Sequence, residues 1–403
     1  MARGEIVTAR IERIAAGGAG IARPNGKSVF VELTAPGDMV RFRIEKEQKS
    51  WARADLVEVL DPSPARASPA CPLYGACGGC SLQHLTYEAQ IEAKTAILRD
   101  AFLRIGGFDP PQIRVRAGAP FEYRNRALFH RRAQVHSMED FDCPSIGFMG
   151  RRSSQLVAIN DCPVADAGIR KALQEKKIQW PDKTRFAVYS NGDTFLVEGG
   201  ARSSAKSGAE YVAERGYVSI LGRKLAMDAG LFFQSNAAML ELVIADLAEA
   251  AKAADKSLPL ADIYCGVGNF AAFLADEFPA ADLVEENKAA LALARENVAG
   301  KCVHYFAGKD TSWIKSLRAD KKSGWGFMVM DPPREGLSAP FAKWLAEYGS
   351  DVAAYVSCDP ATLARDSRLL LAGGYALKEL TFYDFYPQTA HIEALALFSR
   401  IVK

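Results

Sequence analysis

The first sixty residues alternate apolar and polar side chains in short runs. "SVFVEL" and "DMVRFRIEKEQKSWARADLVEVL" show the period of two that buries one face of a strand, and "AAGGAG", "RPNGKS" and "TAPGD" interrupt them with glycine and Asn-Gly turns. Short strands punctuated this way predict a small β-barrel or sandwich over residues 1–60. "DPSPARASP" (Asp61 to Pro69), with three prolines in nine residues, reads as a linker. Residues 61–229 hold strand-like runs, "TRFAVYS" and "DTFLVEGG", among Arg-rich stretches with no sustained period. From 230 to 403 the pattern changes. Apolar strands ("LADIY", "GFMVM", "VAAYVS", "YALKELTFYDF") alternate with Ala- and Leu-rich helices ("AAMLELVIADLAEAAKAA", "NKAALALARENVA"). Strand and helix in alternation predict βαβ units and a largely parallel sheet.

Composition sharpens this only in places. A chain of 403 residues is expected to form two or three domains, and 49% hydrophobic with 24% charged residues fits a soluble globular protein. No apolar run is long enough to span a bilayer, and "MARGEIVTARIERI" lacks the apolar core of a signal peptide, so a cytoplasmic location is expected. The formal net charge of +2 points to no particular partner. The eight cysteines are more telling. Cys71, Cys77 and Cys80 crowd together, whereas Cys143, Cys162, Cys265, Cys302 and Cys358 are scattered. In a reducing compartment such a cluster points to metal or catalysis before disulfides.

Candidate chemistry gathers at strand ends in the last block. "LADIYCGVGNFAAFLA" runs a buried-strand pattern into Gly266 and Gly268 and then into a helix, letting backbone N–H groups approach a ligand. Glu285 closes the next strand, where an acid can bond a ribose hydroxyl. The third glycine of a dinucleotide fingerprint is missing, so a nucleoside cofactor such as S-adenosylmethionine fits better than one with a pyrophosphate. "MVMDPPREGL" sets Asp331 on a rigid turn, and "TAHIEALALF" sets Glu393 where a strand begins. In "YVSCDPATLARD", Cys358 sits between a strand and a helix that opens on a proline. A helix N-terminus stabilises a thiolate, although a lone cysteine also serves as buried packing.

In this order "FFQSN", "DIYCGVGN", "LVE", "DPPR", "SCDPATLARD" and "HIEALALF" resemble the uracil-5 RNA methyltransferase family. Upstream, the first sixty residues look like its TRAM barrel and "CPLYGACGGC" looks like its iron–sulfur segment, so the resemblance covers essentially the whole chain. It implies an α/β fold: a C-terminal Rossmann-like class I methyltransferase domain, an N-terminal small β-barrel, and a central α+β domain with the iron–sulfur segment. It also implies methylation of C5 of an RNA uridine through a covalent adduct of Cys358 with C6, with Glu393 as the base. Gln234, Tyr264, Asn269, Glu285 and Asp331 match the positions around S-adenosylmethionine. The barrel and the iron–sulfur segment together resemble the 23S rRNA branch more than the tRNA branch. A monomer is expected. Two stretches depart from the family pattern: neither Lys309 nor Asp310 aligns with the adenine contact, and Asp359 follows the cysteine where many relatives carry Asn. A negative charge there would raise the thiol's pKa.

By spacing alone, Cys71, Cys77 and Cys80 with a fourth cysteine suit zinc or a [4Fe–4S] cluster. The resemblance moves the expectation to [4Fe–4S] and to Cys162 as fourth ligand, with Cys143 in a local insertion. "RVRAGAPFEYRNRALFHRR" sets Arg114, Arg116, Arg124, Arg126, Arg131 and Arg132 among Phe121, Tyr123 and Phe129, a combination that can grip phosphates and stack unpaired bases. Two rival classes remain. An N-methyltransferase of similar fold would need neither Cys358 nor Glu393, and a non-catalytic RNA-binding protein would keep only a vestigial cofactor site.

Overall fold

A computed structural model describes residues 2–131, 146–175, 178–191, 194–203, 210–300, 302–317 and 324–401. The alternation in the first sixty residues closes into a barrel. Its strands are Ile6–Ile14, Gly20–Ala22, Ser28–Val31, Met39–Glu47 and Trp51–Asp61, with the fifth paired between the third and the fourth. Along Met39–Glu47, Val40, Phe42 and Ile44 point inward while Arg41 and Arg43 face solvent, and Val29, Val31, Ala52 and Ala54 complete the interior. The proline-rich stretch that follows is anchored to the barrel. Buried Asp38 accepts the Ser63 amide at 2.9 Å and pairs with Arg66 at 3.1 Å.

Beyond it, strands Thr194–Val197, Arg185–Asn191, Arg126–Arg131, Ile146–Met149 and Leu156–Ala158 form an antiparallel sheet in that order. Phe129, Trp180 and Phe186 pack ring against ring at its centre, and the helix Ala167–Glu175 buries Ile169 and Leu173 in the same cluster.

The last block is an eight-stranded sheet ordered Val303–Ala307, Ala281–Glu285, Leu260–Ile263, Phe327–Met330, Val352–Ser357, Glu393–Arg400, Tyr375–Tyr383 and Ile113–Arg116. The first five run parallel, and Glu393–Arg400 is antiparallel to both its neighbours. Helices cover both faces. Ala237–Ala251 and Lys288–Asn297 pack on one; Tyr87–Ala101, Ala339–Tyr348 and Pro360–Ala372 pack on the other, where Trp313, Trp325, Phe341 and Trp344 form an aromatic cluster. Parallel strands buried on both faces read as continuous apolar runs, which is why "GFMVM" and "VAAYVS" stand out in the sequence.

The edge strand Ile113–Arg116 comes from the middle of the chain, and its arginines are structural. Arg114 and Arg116 both pair with Asp246 on the helix Ala237–Ala251, at 3.0 and 2.7 Å, and the Tyr383 hydroxyl donates to the same carboxylate at 2.5 Å. Burial works against the charge of Asp246, but the Arg116 and Tyr383 hydrogen bonds and the Arg114 charge outweigh it and hold the carboxyl below its usual range. A carboxyl depressed in the folded state stabilises above its unfolded pKa, and that contribution is lost as pH falls through the folded value. Asp246→Ala is therefore expected to lose roughly 2–3 kcal/mol at neutral pH in urea unfolding, with the gap to the parent chain narrowing below about pH 4.

Candidate active site

The parallel strands bring the glycine turn and the acid to one edge. Ile263 pairs with Val284, so the turn after the first strand lies beside Glu285 at the end of the second. Tyr264 takes φ 64°, Gly266 φ 55° and Gly268 φ 82°. A Cβ at Gly268 would crowd Val298 and Ala294 at 3.1 and 3.2 Å, whereas at Gly266 nothing lies within 4 Å. The turn is thus tight against the helix Lys288–Asn297 and open on its other side. Glu285 accepts the Gly266 amide at 3.1 Å and the Asn287 amide at 2.7 Å, which fixes its carboxylate over the opening.

Two buried oxygens at this turn have no hydrogen-bond partner among the described residues: Asn269 Oδ1 and Asp262 Oδ1. Orphan acceptors beside an open glycine turn fit a polar nucleoside ligand. Sequence reasoning missed Asp262, whose signal is an acid inside the apolar run "LADIY". Its other oxygen accepts the Ala271 amide at 3.0 Å, and burial pushes its carboxyl up to about 8. Of the two residues that do not align with the adenine contact, Asp310 is buried and accepts the Tyr264 hydroxyl at 2.7 Å and the Ser338 hydroxyl at 2.6 Å, while Lys309 is exposed beside Glu286.

Three strand ends converge on the adjacent part of the edge. Met330 pairs with Tyr355, which sets Asp331 one step past its strand and next to the Val352–Ser357 strand. Ser357 pairs with Ala394 as the last rung of the antiparallel ladder, so Cys358 and Glu393 occupy the next opposed positions. Burial pushes Glu393 well above the usual carboxylate range, Asp331 adds to the rise, and Arg334 opposes it. Asp331 itself is raised by burial to about 7. The Cys358 thiol is pushed up to about 12 by burial and then by the charges of Glu393 and Asp331, again against Arg334. Asp359 caps the helix Pro360–Ala372, its carboxylate accepting the Ala361 and Thr362 amides at 3.0 and 2.9 Å.

Gln234 is buried just ahead of the helix Ala237–Ala251, whose first turn is capped by Asn236. Asn236 also donates to the Phe385 carbonyl at 3.2 Å, and half-buried Tyr386 feels both Glu393 and Cys358, so the Gln234 segment adjoins the reacting pair. Phe232, also missed, is 65% exposed two residues earlier, with the Arg126 guanidinium 5.9 Å from its ring centre. Its signal was the apolar pair that opens "FFQSN".

Elsewhere the expectations fare differently. Cys71, Cys77, Cys80 and Cys162 share one neighbourhood: burial raises Cys77, Cys80 (to about 11) and Cys162, and Cys71 adds to the rise of Cys77 and Cys162 while Cys162 and Cys77 add to that of Cys80. Gly78 is required there, because a Cβ would meet the Met149 carbonyl at 2.9 Å. Among the described residues, no three or more Cys, His, Asp or Glu side chains close around a single metal ion. Cys143 and Arg132 lie outside the described residues.

The basic stretch is mostly engaged within the protein. Tyr123 and Phe129 are core residues, Arg114 and Arg116 serve Asp246, and Arg131 donates to the Pro181 carbonyl at 2.9 Å. The alternation that suggested a stacking surface is the in-and-out period of a sheet strand. Arg124 differs, since its charge reaches Cys77, Cys80 and Cys162 on one side and His391 on the other.

A parallel sheet ending in an antiparallel strand, with a glycine turn and an acid on the neighbouring strand end, is a Rossmann-like methyltransferase architecture. The TRAM domain profile matches residues 2–57 and the tRNA (Uracil-5-)-methyltransferase profile matches residues 318–401. An RNA methyltransferase of Treponema denticola is 30% identical over 93% of this chain and 94% of its own length. The 23S rRNA (uracil(1939)-C(5))-methyltransferase RlmD of Alkalilimnicola ehrlichii is 30% identical, with 95% of this chain and 94% of that protein covered. The Pyrococcus abyssi tRNA (uracil-54, C5)-methyltransferase, solved with S-adenosyl-L-homocysteine, shares the fold at TM-score 0.70 and 23% identity, covering 97% of this chain and 100% of that one. The chain belongs to the RNA uracil-C5 methyltransferase family.

The electrostatics of Cys358 generate an opposed pair of expectations. Removing the Asp331 charge takes away one of the groups that keep the thiol protonated, whereas removing Arg334 takes away the cation that opposes them. Peptide-resolved mass spectrometry of iodoacetamide labelling at pH 8.5 should show Cys358 reacting roughly threefold or more faster in Asp331→Asn and slower in Arg334→Ala. Rates that move in the same direction in both variants would contradict this account.

Proposed function

We propose that this chain methylates C5 of a uridine in 23S ribosomal RNA with S-adenosylmethionine as methyl donor. The observation that carries the reading is the opposed placement of Cys358 and Glu393, just beyond the last rung of an antiparallel ladder in the sheet that also carries the glycine turn. The ribosomal substrate is supported by relatives at 30% identity over nearly the whole chain. The tRNA-acting structure is similar in fold alone.

Uracil C5 is too weak a nucleophile to react unaided. Addition of the Cys358 thiolate to C6 moves electron density to C5, splitting one hard step into two. Bound S-adenosylmethionine supplies the electrophilic methyl group, and Gln234, Tyr264, Asn269, Glu285 and Asp331 are the residues that would hold it. Glu393 then takes the C5 proton, the C5–C6 double bond re-forms, and the C6–S bond breaks to release Cys358. A dry carboxylate is a stronger base than a hydrated one, so the burial of Glu393 suits this step. Residues 230–403 are the methyl-transfer domain. The barrel of 1–60 and the central domain of 61–229 engage RNA, with a cleft of about 400 Å³ between them lined by Gly17, Gly78, Gly79, His130, Phe148 and Arg151. The target base must leave its stack to reach Cys358.

Cys71, Cys77, Cys80 and Cys162 hold a [4Fe–4S] cluster in this reading. Its support is the shared neighbourhood of four thiols around a glycine-rich loop, and the methyl transfer gives the cluster no redox step, so its role is to shape the RNA-facing central domain. Protein purified without oxygen is expected to carry about four iron atoms per chain, and Cys162→Ser should lose them. Stoichiometric zinc without iron would rule this out.

The methyl-transfer roles separate cleanly in two variants. Cys358→Ala should abolish methylation while calorimetry shows unchanged S-adenosylmethionine binding. Glu393→Gln should still attack and accept the methyl group but retain the C5 proton, so a methylated protein–RNA adduct accumulates on denaturing gels. Near-normal turnover in Cys358→Ala would return the family fold to an N-methyltransferase reading, and a parent chain that does not bind S-adenosylmethionine would favour a non-catalytic RNA-binding protein.

A further inference from the structure

The helix Tyr87–Ala101 presents two polar side chains to the interior one turn apart. Gln90 is 1% exposed and Lys94 is not exposed at all. Lysine is almost never fully buried without a partner, and this one reaches the loop between the last two strands of the sheet in chain order. Its ammonium donates to Asp384 Oδ1 at 2.6 Å and to the Tyr386 carbonyl at 2.9 Å. Gln90 forms a reciprocal amide pair with Gln388, donating to its side-chain oxygen at 3.0 Å and accepting its backbone N–H at 2.9 Å.

The same loop is held from other sides. Gln388 takes φ 67°, a left-handed conformation uncommon for a non-glycine residue, and its carbonyl accepts the Ser81 and Leu82 amides at 3.0 and 2.9 Å. The Tyr123 hydroxyl donates to the Pro387 carbonyl at 2.8 Å. Asp384, Tyr386, Pro387 and Gln388 are thus each fixed by a group outside the loop. What they fix is the surroundings of the base: the half-buried Tyr386 ring lies 5.5 Å from the His391 ring and feels the charge of Glu393. Strand pairing sets the backbone of Glu393, through Tyr383 on one side and the Ala394 rung on the other, and the loop leaves the sheet directly after Tyr383.

We infer that Gln90 and Lys94 are positioning residues for the release half of the reaction: from the helix Tyr87–Ala101 they hold the Asp384–Gln388 loop over Glu393, so that the base meets the C5 proton in one geometry. The inference rests on the uridine-C5 reading above. Cys358 and the glycine turn lie on other elements, and Phe385, whose carbonyl carries the loop's bond to Asn236 beside Gln234, is held by neither Gln90 nor Lys94, so attack and methyl transfer are expected to proceed without the clamp. A misplacement of about 1 Å at a proton-transfer step can cost around 10²-fold in rate.

Lys94→Met alone leaves Asp384 buried without its cation, so the test uses the double variant Lys94→Met/Asp384→Leu, which removes both charges together, and separately the neutral change Gln90→Leu. With methyl-labelled S-adenosylmethionine and transcribed 23S rRNA, the methylated Cys358 adduct should form at the parent rate and then persist. Product release should be slowed by roughly 10- to 100-fold. Calorimetric affinity for S-adenosylmethionine should be unchanged. Release at the parent rate in both variants overturns the inference, as does a joint fall in cofactor binding, methyl transfer and release, which would mark a general structural role. If the parent chain itself forms no adduct, the uridine-C5 reading has failed and this inference falls with it.

Discussion

The antiparallel ladder between Val352–Ser357 and Glu393–Arg400 sets the arrangement on which the site depends. Every rung from Val352–Ser399 to Ser357–Ala394 is in register, so the two chemically distinctive residues just beyond the ladder face each other without any loop having to find that position. Burial at these strand ends raises Cys358, Asp331 and Glu393 together, and Arg334 opposes the rise of Cys358 and Glu393. A thiol near 12 is protonated at neutral pH.

The barrel, the cysteine segment and the sheet edge meet at a few small residues. Gly18 of the barrel lies against Ser81 and Ala390, where an added Cβ would stand 3.2 Å from both. Ser81 in turn accepts the Ala390 amide at 2.9 Å. Arg151 joins Glu32 of the barrel at 3.0 Å to the Cys80 carbonyl at 3.1 Å, and the imidazole of His84 meets the Thr34 carbonyl at 3.0 Å. Contacts this close tolerate little relative displacement, so a strand of RNA lying across the barrel and the central domain would keep a fixed offset from the reacting pair.

Chain order and spatial order part company at the other edge. Ile113–Arg116 closes the methyltransferase sheet although it precedes the whole central sheet in sequence, and the helix Tyr87–Ala101 packs on the same side. The three-block division by composition is a useful outline, yet the second block lends a strand and a helix to the third. Asp246 shows the consequence: a residue on a cofactor-domain helix is the counter-ion of arginines from well upstream.

The sequence by itself determined the barrel, the parallel sheet, the turn at Gly266 and Gly268, and the positions of Cys358, Asp331, Glu285 and Glu393 at strand ends. These are legible because each follows from local period, from turn chemistry, or from an ordered set of short motifs. Only the tertiary structure decided which arginines were free. Arg114, Arg116 and Arg131 look like a basic patch in one dimension and are ion-paired or bonded in three, because a partner such as Asp246 lies more than a hundred residues away. Tyr123 and Phe129 turned inward for the same reason, since period two does not say which face is covered. The partners of Asp310 and the Lys94–Asp384 pair were invisible for a related one: burial and partnership are properties of packing, and no neighbouring residue in the chain announces them.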